Sequence, residues 1–192
     1  MGRRSLKAER VEEILEAFYQ CLYEYGFEGT TLDKIGEKAG LARRMILHYI
    51  GRKEDVIEAA VIKISNRFRI SALEFIDSSN KEKRLDAGLD FLFSDDFNQH
   101  PDAKLVAALL PTSLHDDKVK AAVQKIYDFF VSQLLIELRT EYPNNDEVKL
   151  REIAFNIVCL SFGGGWMSNI GVCSDLNTKS VVYRLLEDLN ED

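Results

Sequence analysis

Residues 30–53 read T-T-L-D-K-I-G-E-K-A-G-L-A-R-R-M-I-L-H-Y-I-G-R-K, and no other stretch limits the fold as tightly. Two short helical patterns are joined by a turn containing a glycine. This is the layout of a helix-turn-helix, which sets its second helix into the major groove of double-stranded DNA. Thr30 and Thr31 are suited to cap the first helix, and Asp33 falls in its first turn, where a negative charge complements the helix dipole. Leu32, Ile35 and Ala39 give that helix an apolar stripe, and Gly40 supplies the left-handed residue that ends it. The second helix is expected from about Ala42 to Ile50, stopping at Gly51. Its wheel places Ile46 and Ile50 on the face that docks. Arg44, Met45 and His48 point away, with Arg43 and Tyr49 at the flanks.

Two arginines in a helix's first turn oppose the dipole at a cost of a few tenths to ~1 kcal/mol each. A structural role gives no reason for them. A guanine edge or a phosphate does, because the guanidinium fork matches both. Charge distribution agrees with a DNA-facing N-terminus. The chain has a formal net charge of −7 over 192 residues, yet residues 1–56 hold ten basic and ten acidic side chains. The excess acid lies in residues 57–192. Arg3, Arg4, Lys7 and Arg10 against Glu9 alone make the tip a basic arm. An acidic body behind it suppresses nonspecific adsorption.

The rest of the chain reads as helix throughout. Val11, Ile14, Leu15, Phe18 and Leu22 mark an amphipathic first helix over about 6–25, ended by Gly26. A helix over 53–77 follows the motif, with Ile57, Ala60, Val61, Ile64, Phe68 and Phe75 in period. Further helices are expected over 82–94, between Pro101 and Pro111, from Asp116 to about 141, over about 146–171, and over 178–189 with Asn177 or Thr178 as cap. The expectation is an all-α protein of nine helices. A helix-turn-helix DNA-binding domain would occupy residues 1–52, and a ligand-binding and dimerisation bundle residues 53–192.

Ile153–Ser174 carries no Asp, Glu, Lys or Arg over 22 residues. That length admits a membrane span. Asn156, Asn169, the serines and Gly163-Gly164-Gly165 argue instead for a helix covered on both faces, one by its own domain and one by a second subunit. Cys21, Cys159 and Cys173 show no paired or metal-binding spacing, so free thiols in a cytoplasmic protein are expected, with no metal or other cofactor. The charged N-terminus is no signal peptide. Asp95-Asp96 and Asp116-Asp117 read as helix caps or solvated faces, and His100 and His115 as exposed loop histidines. No phosphate loop or nucleophile elbow is present, so an enzyme is not expected and no catalytic residue is assigned.

At residues 8–57 the chain resembles the TetR family of transcriptional repressors. The shared pattern appears here as Gly26, Thr30-Thr31, Ile35-Gly36, Ala39-Gly40-Leu41-Ala42, His48-Tyr49-Ile50 and Lys53-Glu54. The resemblance implies a phosphate contact at Thr31. It puts Arg43, Arg44, Met45 and His48 at groove-facing positions and Tyr49 and Lys53 at backbone-binding ones. It also implies dimerisation through the last two helices, with Phe162, Gly163, Gly164, Tyr183 and Leu186 as interface residues. An effector pocket would be drawn from Phe93, Phe97, Tyr127, Phe130, Phe155 and Trp166, with Phe91 and Phe162 as further aromatics. Ala42 stands where Ser or Thr is usual, Leu47 where tyrosine is usual, and Gly36 where alanine is usual. Arg43 and Arg44 are expected to offset the lost hydroxyls. A second resemblance, to choline-responsive BetI-like repressors, rests on Ile46-x-His48-Tyr49, on Glu58-Ala59, and on the apolar segment around Trp166. It implies a cationic effector held by aromatic rings.

The expected function is that of a ligand-responsive regulator, a repressor, bound to a palindromic operator as a homodimer and released by a partly apolar small molecule. The alternatives are a helix-turn-helix protein without such a ligand, and a membrane-tethered regulator.

Overall fold

A computed structural model of the chain describes residues 6–77, 84–172 and 178–190. Its regular structure among these residues is entirely helical: α1 (Leu6–Gly29), α2 (Leu32–Ala39), α3 (Arg43–Tyr49), α4 (Lys53–Asp77), α5 (Arg84–Leu92), α6 (Asp95–Asn98), α7 (Pro101–Ser113), α8 (Asp117–Glu141), α9 (Glu147–Asn169) and α10 (Lys179–Glu187). The all-α reading holds, and the described residues contain one helix more than the nine expected. The addition is α6, a single turn capped by Ser94, whose hydroxyl accepts from the Phe97 N–H at 3.1 Å. Four residues are too few for a helical period to register.

Two compact units are present. One comprises Met1–Ser65 with Ala108–Val123, the other Asn66–Ala107 with Gln124–Asp192. The dividing points fall within α4, α7 and α8, whereas the expected functional boundary was the start of α4.

In the first unit α1 buries Ile14, Leu15, Phe18 and Cys21, and α4 buries Val56, Ile57, Ala60, Val61 and Ile64. Withdrawing the larger of these side chains from water contributes roughly 1.5–3 kcal/mol each. The Tyr19 hydroxyl donates to the Ala60 carbonyl at 3.2 Å, tying α1 to α4. Gly26 breaks α1 with φ 66°, as its position after the amphipathic stretch predicts, and a short helical turn follows before α2.

In the second unit the core is aromatic. The Phe97 ring lies 5.2 Å from Phe68, 5.5 Å from Phe130 and 5.5 Å from Phe162, all in tilted or edge-on contact. Offset pairs of this kind add about 0.5–1.5 kcal/mol each beyond their buried area. Leu134, Leu138, Ala154 and Ile157 complete the core from α8 and α9. Both long helices begin at carboxylate caps: Asp116 accepts from the Lys118 and Val119 N–H groups, and Asp146 from those of Val148 and Lys149. Pro111 lies inside α7, which runs to Ser113 instead of ending before the proline. In the last turn a proline removes one N–H while its own φ suits the helix. No helix among the described residues is long and apolar enough to cross a membrane.

Candidate DNA-reading helix and ligand cavity

The helix-turn-helix is built almost wholly from its own residues. Thr31 caps α2 in extended conformation, and its hydroxyl oxygen accepts from the Lys34 N–H at 3.3 Å. That hydroxyl is exposed and keeps its proton for another acceptor. Thr30 acts differently. Fully buried, it donates to the Gly26 carbonyl at 2.7 Å and locks the break in α1. Gly40 closes α2 with φ 64°, a left-handed conformation that costs glycine little. The Leu41 N–H then returns to the Gly36 carbonyl at 2.8 Å. This turn is so tight that a Cβ on Gly36 would lie 2.5 Å from the Leu41 oxygen. Sequence comparison alone makes Gly36 a weak point in a helix. In this chain it is what lets the turn close.

In α3, Ile46 is fully buried and Ile50 half-buried at its end, while Arg43, Arg44, Leu47 and His48 are exposed. The docking face and the outward face therefore separate as the wheel predicts, except that Met45 is half-buried. Ala42 offers no side-chain cap, as its residue type requires. The two arginines are not equivalent. Arg43 Nη1 lies 3.0 Å from Asp33 Oδ2, an exposed pair that links α3 to α2. Arg44 makes no hydrogen bond or ion pair with any described residue. Tyr49 is half-buried with its ring edge-on to His48 at 5.2 Å.

Lys53 is drawn inward. Its ammonium donates to the Phe27 carbonyl at 2.9 Å and sits 4.4 Å from the Phe27 ring centre, and burial pulls its pKa below the ordinary lysine value. Lys34 makes a similar inward contact with the Gly29 carbonyl at 2.9 Å and the Tyr25 ring at 4.0 Å. Lys38 pairs with Glu24 at 2.7 Å. These lysines anchor α2 and α4 to the end of α1. Arg3 and Arg4 lie outside the described residues.

The second unit holds a cavity of about 640 Å³. Phe68, Ile70, Phe75, Phe91 and Phe97 form its apolar wall. Its polar groups are Arg67, Ser71 and Glu74 on α4, Ser94 and Asp96 around α6, and His100 and Asp102 at the start of α7. Arg67 Nη2 lies 2.5 Å from Asp102 Oδ1, and the Asp102 N–H donates to His100 Nδ1 at 3.2 Å. Of the aromatics expected in a pocket, Phe97 and Phe91 line this cavity. Phe130 lies behind them in the core, beside a void of about 20 Å³. Tyr127 packs on Phe162 at 4.8 Å, and burial pushes its hydroxyl pKa up. Phe155 and Trp166 are exposed on α9, away from the cavity lining, and Phe93 is half-buried outside it.

The sequence reading missed the polar lining. Arg67, Ser71 and Glu74 stand at i, i+4 and i+7 on α4, a pattern that looks like a solvated stripe until Phe68 and Phe75 beside it are seen to wall a cavity.

Residues 14–60 match the sequence profile of the bacterial regulatory proteins of the tetR family. The matched span runs from the brace helix through the turn and α3 into α4. Over that span the chain is similar to the DNA-binding region of the tetR-family transcriptional regulators. It is 22% identical over 170 residues to the HTH-type transcriptional regulator BetI of Escherichia coli O17:K52:H18 (strain UMN026), covering 87% of this chain and 85% of that protein. A Pseudomonas aeruginosa PAO1 protein, solved as a candidate transcriptional regulator, superposes with TM-score 0.75 at 20% identity over 97% of this chain and 92% of its own. A TetR transcription regulator from Haloarcula marismortui ATCC 43049 gives TM-score 0.71 at 20% identity over 96% of each chain. At these identities the structural matches establish the shared fold.

The residues expected at a subunit interface fall into two groups. Leu186 is buried within its own protomer, and Phe162 belongs to the aromatic core. Gly163 faces open space and Tyr183 is exposed, with the Lys179 ammonium 5.4 Å from its ring centre. Gly164 and Gly165 do allow close approach, but to their own chain. A Cβ on Gly164 would lie 3.0 Å from Thr178 Oγ1, and one on Gly165 2.2 Å from Asn98 Oδ1. Cys21 is a buried free thiol whose pKa is pushed up by that burial, Cys159 is free and exposed, and Cys173 lies outside the described residues.

Proposed function

We propose that the protein is a ligand-responsive repressor that binds a palindromic operator as a homodimer and is released by a small molecule. The observation that carries this reading is the outward face of α3. Arg44 and His48 are exposed opposite the buried Ile46, and Arg44 spends its five donors on no described residue. An unengaged guanidinium at the N-terminal end of a recognition helix suits bidentate contact with guanine. Thr31 and Tyr49 would take phosphates, Met45 would pack in the groove, and Arg43 would reach DNA once freed from Asp33. Lys53, once released from the Phe27 carbonyl, and the arm residues Arg3 and Arg4 complete the proposed contacts. Residues 1–52 would thus bind DNA, and 53–192 would dimerise and hold the effector, in the cytoplasm.

The homodimer is supported by the outer face of α9. Val148, Phe155, Cys159, Trp166, Met167 and Ile170 recur along it and are exposed, although most are apolar. Large apolar side chains left exposed along one side of a helix mark an interaction surface. A homodimer on a palindromic operator presents its two α3 helices to half-sites about 34–36 Å apart, one DNA turn. Effector release is supported by the cavity, because α4 contributes both Lys53 near the motif and the wall from Arg67 to Phe75. A ligand that favours one α4 setting must weaken DNA binding by the factor by which DNA weakens its own.

Selection of bound sequences from random duplex DNA at moderate salt tests the reading. Enrichment of an inverted repeat with half-sites one turn apart is expected, and its absence from repeated selections counts against the proposal.

A further inference from the structure

We infer that Leu47 reads the 5-methyl group of a thymine in each operator half-site, close to the guanine taken by Arg44. The inference rests on the proposed reading of DNA by α3 and names a base that this helix selects.

Among the side chains that α3 exposes, Arg43, Arg44 and His48 are polar and Leu47 alone is aliphatic. Leu47 is 44% exposed, whereas Ile46 before it is fully buried and Met45 is half-buried. One exposed leucine is ordinary on a protein surface. Its position is what distinguishes this one. Leu47 follows Arg44 by three residues, which in an α-helix leaves the two roughly 60° apart round the axis and ~4.5 Å apart along it. Residues so spaced are neighbours on the helix surface. A helix seated in the major groove with Arg44 toward a base edge therefore brings Leu47 to the same stretch of DNA.

The chemistry of the groove decides what Leu47 meets there. Leucine has neither donor nor acceptor. Against a phosphate, or against the amino, carbonyl and ring-nitrogen edges of the bases, it would displace water from polar atoms and return no hydrogen bond. The base edges of the major groove carry one apolar group, the thymine methyl. Contact with that methyl withdraws two apolar surfaces from water and leaves no polar atom unpaired. The offset from Arg44 also places the base. A displacement of ~4.5 Å along the helix is little more than the 3.4 Å between successive base pairs, so the thymine lies within about two base pairs of the guanine, on either strand.

The test uses the full-length protein and the operator obtained by selection from random duplexes. Deoxyuridine replaces thymine at one position at a time, first in one half-site and then in both. The exchange deletes the methyl and keeps every hydrogen-bonding group. Affinity is read by fluorescence anisotropy at one fixed moderate salt concentration. One thymine, within about two base pairs of the guanine whose preference Arg44→Ala relaxes, is expected to matter. Its replacement should weaken binding about fourfold in one half-site and about fifteenfold in both, the size of one methyl returned to water at each. Leu47→Ala should weaken the thymine operator by a similar factor or more and should no longer distinguish thymine from uridine. Leu47→Met keeps an apolar tip and should retain most of the discrimination. Alanine is the stronger helix former and the position is exposed, so the melting temperature of Leu47→Ala should hold. The wild-type uridine series and Leu47→Met decide whether or not it does.

A selected half-site with no thymine within that distance, a wild-type protein blind to every thymine methyl there, or discrimination that survives Leu47→Ala overturns the inference. Any of these results on a specifically bound operator leaves the functional reading standing and removes the Leu47 assignment alone. Selection that yields no preferred sequence, or an Arg44→Ala protein with wild-type base preferences, removes the functional reading and the Leu47 assignment together.

Discussion

The helix-turn-helix and the aromatic cavity are assembled in opposite ways. The first is a run of 24 residues whose caps, turn and anchors come from close neighbours: Thr31 caps its own helix, Gly40 ends it, and Asp33 holds Arg43 across the turn. The second draws its wall from α4, α5, α6 and α7, with Arg67 meeting Asp102 across 35 positions. A locally encoded site keeps its backbone geometry while single outward side chains change, so its specificity resides in those side chains. A site closed by distant contacts depends on the packing that brings them together, so changes in its core alter shape before chemistry.

The largest expected effect tests that dependence. Phe97→Ala removes the ring at the centre of the cluster and should cost about 3–5 kcal/mol in stability, read from urea unfolding by circular dichroism. A loss below about 1 kcal/mol would mean that the cavity wall is not part of the core. Next comes the one place where the motif's backbone is intolerant. Gly36→Ala should destabilise by about 1–3 kcal/mol, because the turn at Leu41 has no room for a Cβ. Family pattern and helix propensity both predict the reverse, so a raised melting temperature would refute the close-turn account. Arg43→Ala should change thermal stability little, since its partner Asp33 is as exposed as it is and such surface pairs contribute about 0–1 kcal/mol.

The smallest effect is a pH dependence. The Lys118 ammonium at 2.7 Å, and then the Arg52 N–H at 2.8 Å, hold the Asp55 carboxyl below its ordinary pKa. A depressed carboxyl contributes stability above its unfolded pKa of about 3.9 and loses it as pH falls through the folded value. Asp55→Asn should therefore lower stability slightly near neutrality and leave less of it to lose as pH falls, which flattens the acid limb of the stability curve. An NMR titration placing Asp55 at or above the ordinary value would contradict this.

The same contrast explains what the sequence made legible. Helix periods, the Asp116 cap, the break at Gly26 and the split of α3 into Ile46 and Arg44 faces all depend on residues within a turn or two of each other. The all-α fold was legible for that reason. Lys53 was not, because its direction depends on the Phe27 carbonyl and ring far earlier in the chain. The glycines at 164 and 165 signalled close approach correctly, but their spacing does not say whether the neighbour is a second subunit or the chain's own Thr178 and Asn98. The cavity's polar lining stayed hidden for a similar reason. Asp102 reads as an ordinary first-turn carboxylate after Pro101 until Arg67 and His100 are placed beside it.

The central claim is that DNA is read by the unengaged arginine of α3, with its neighbour restrained by Asp33. Operator affinity of wild type, Arg44→Ala and Arg43→Ala at one fixed moderate salt concentration tests it most directly. Arg44→Ala should lose about 1–3 kcal/mol, roughly tenfold to a hundredfold, with relaxed preference at one base position, and Arg43→Ala should lose less. Wild-type affinity in Arg44→Ala, or a larger loss in Arg43→Ala, would contradict the account.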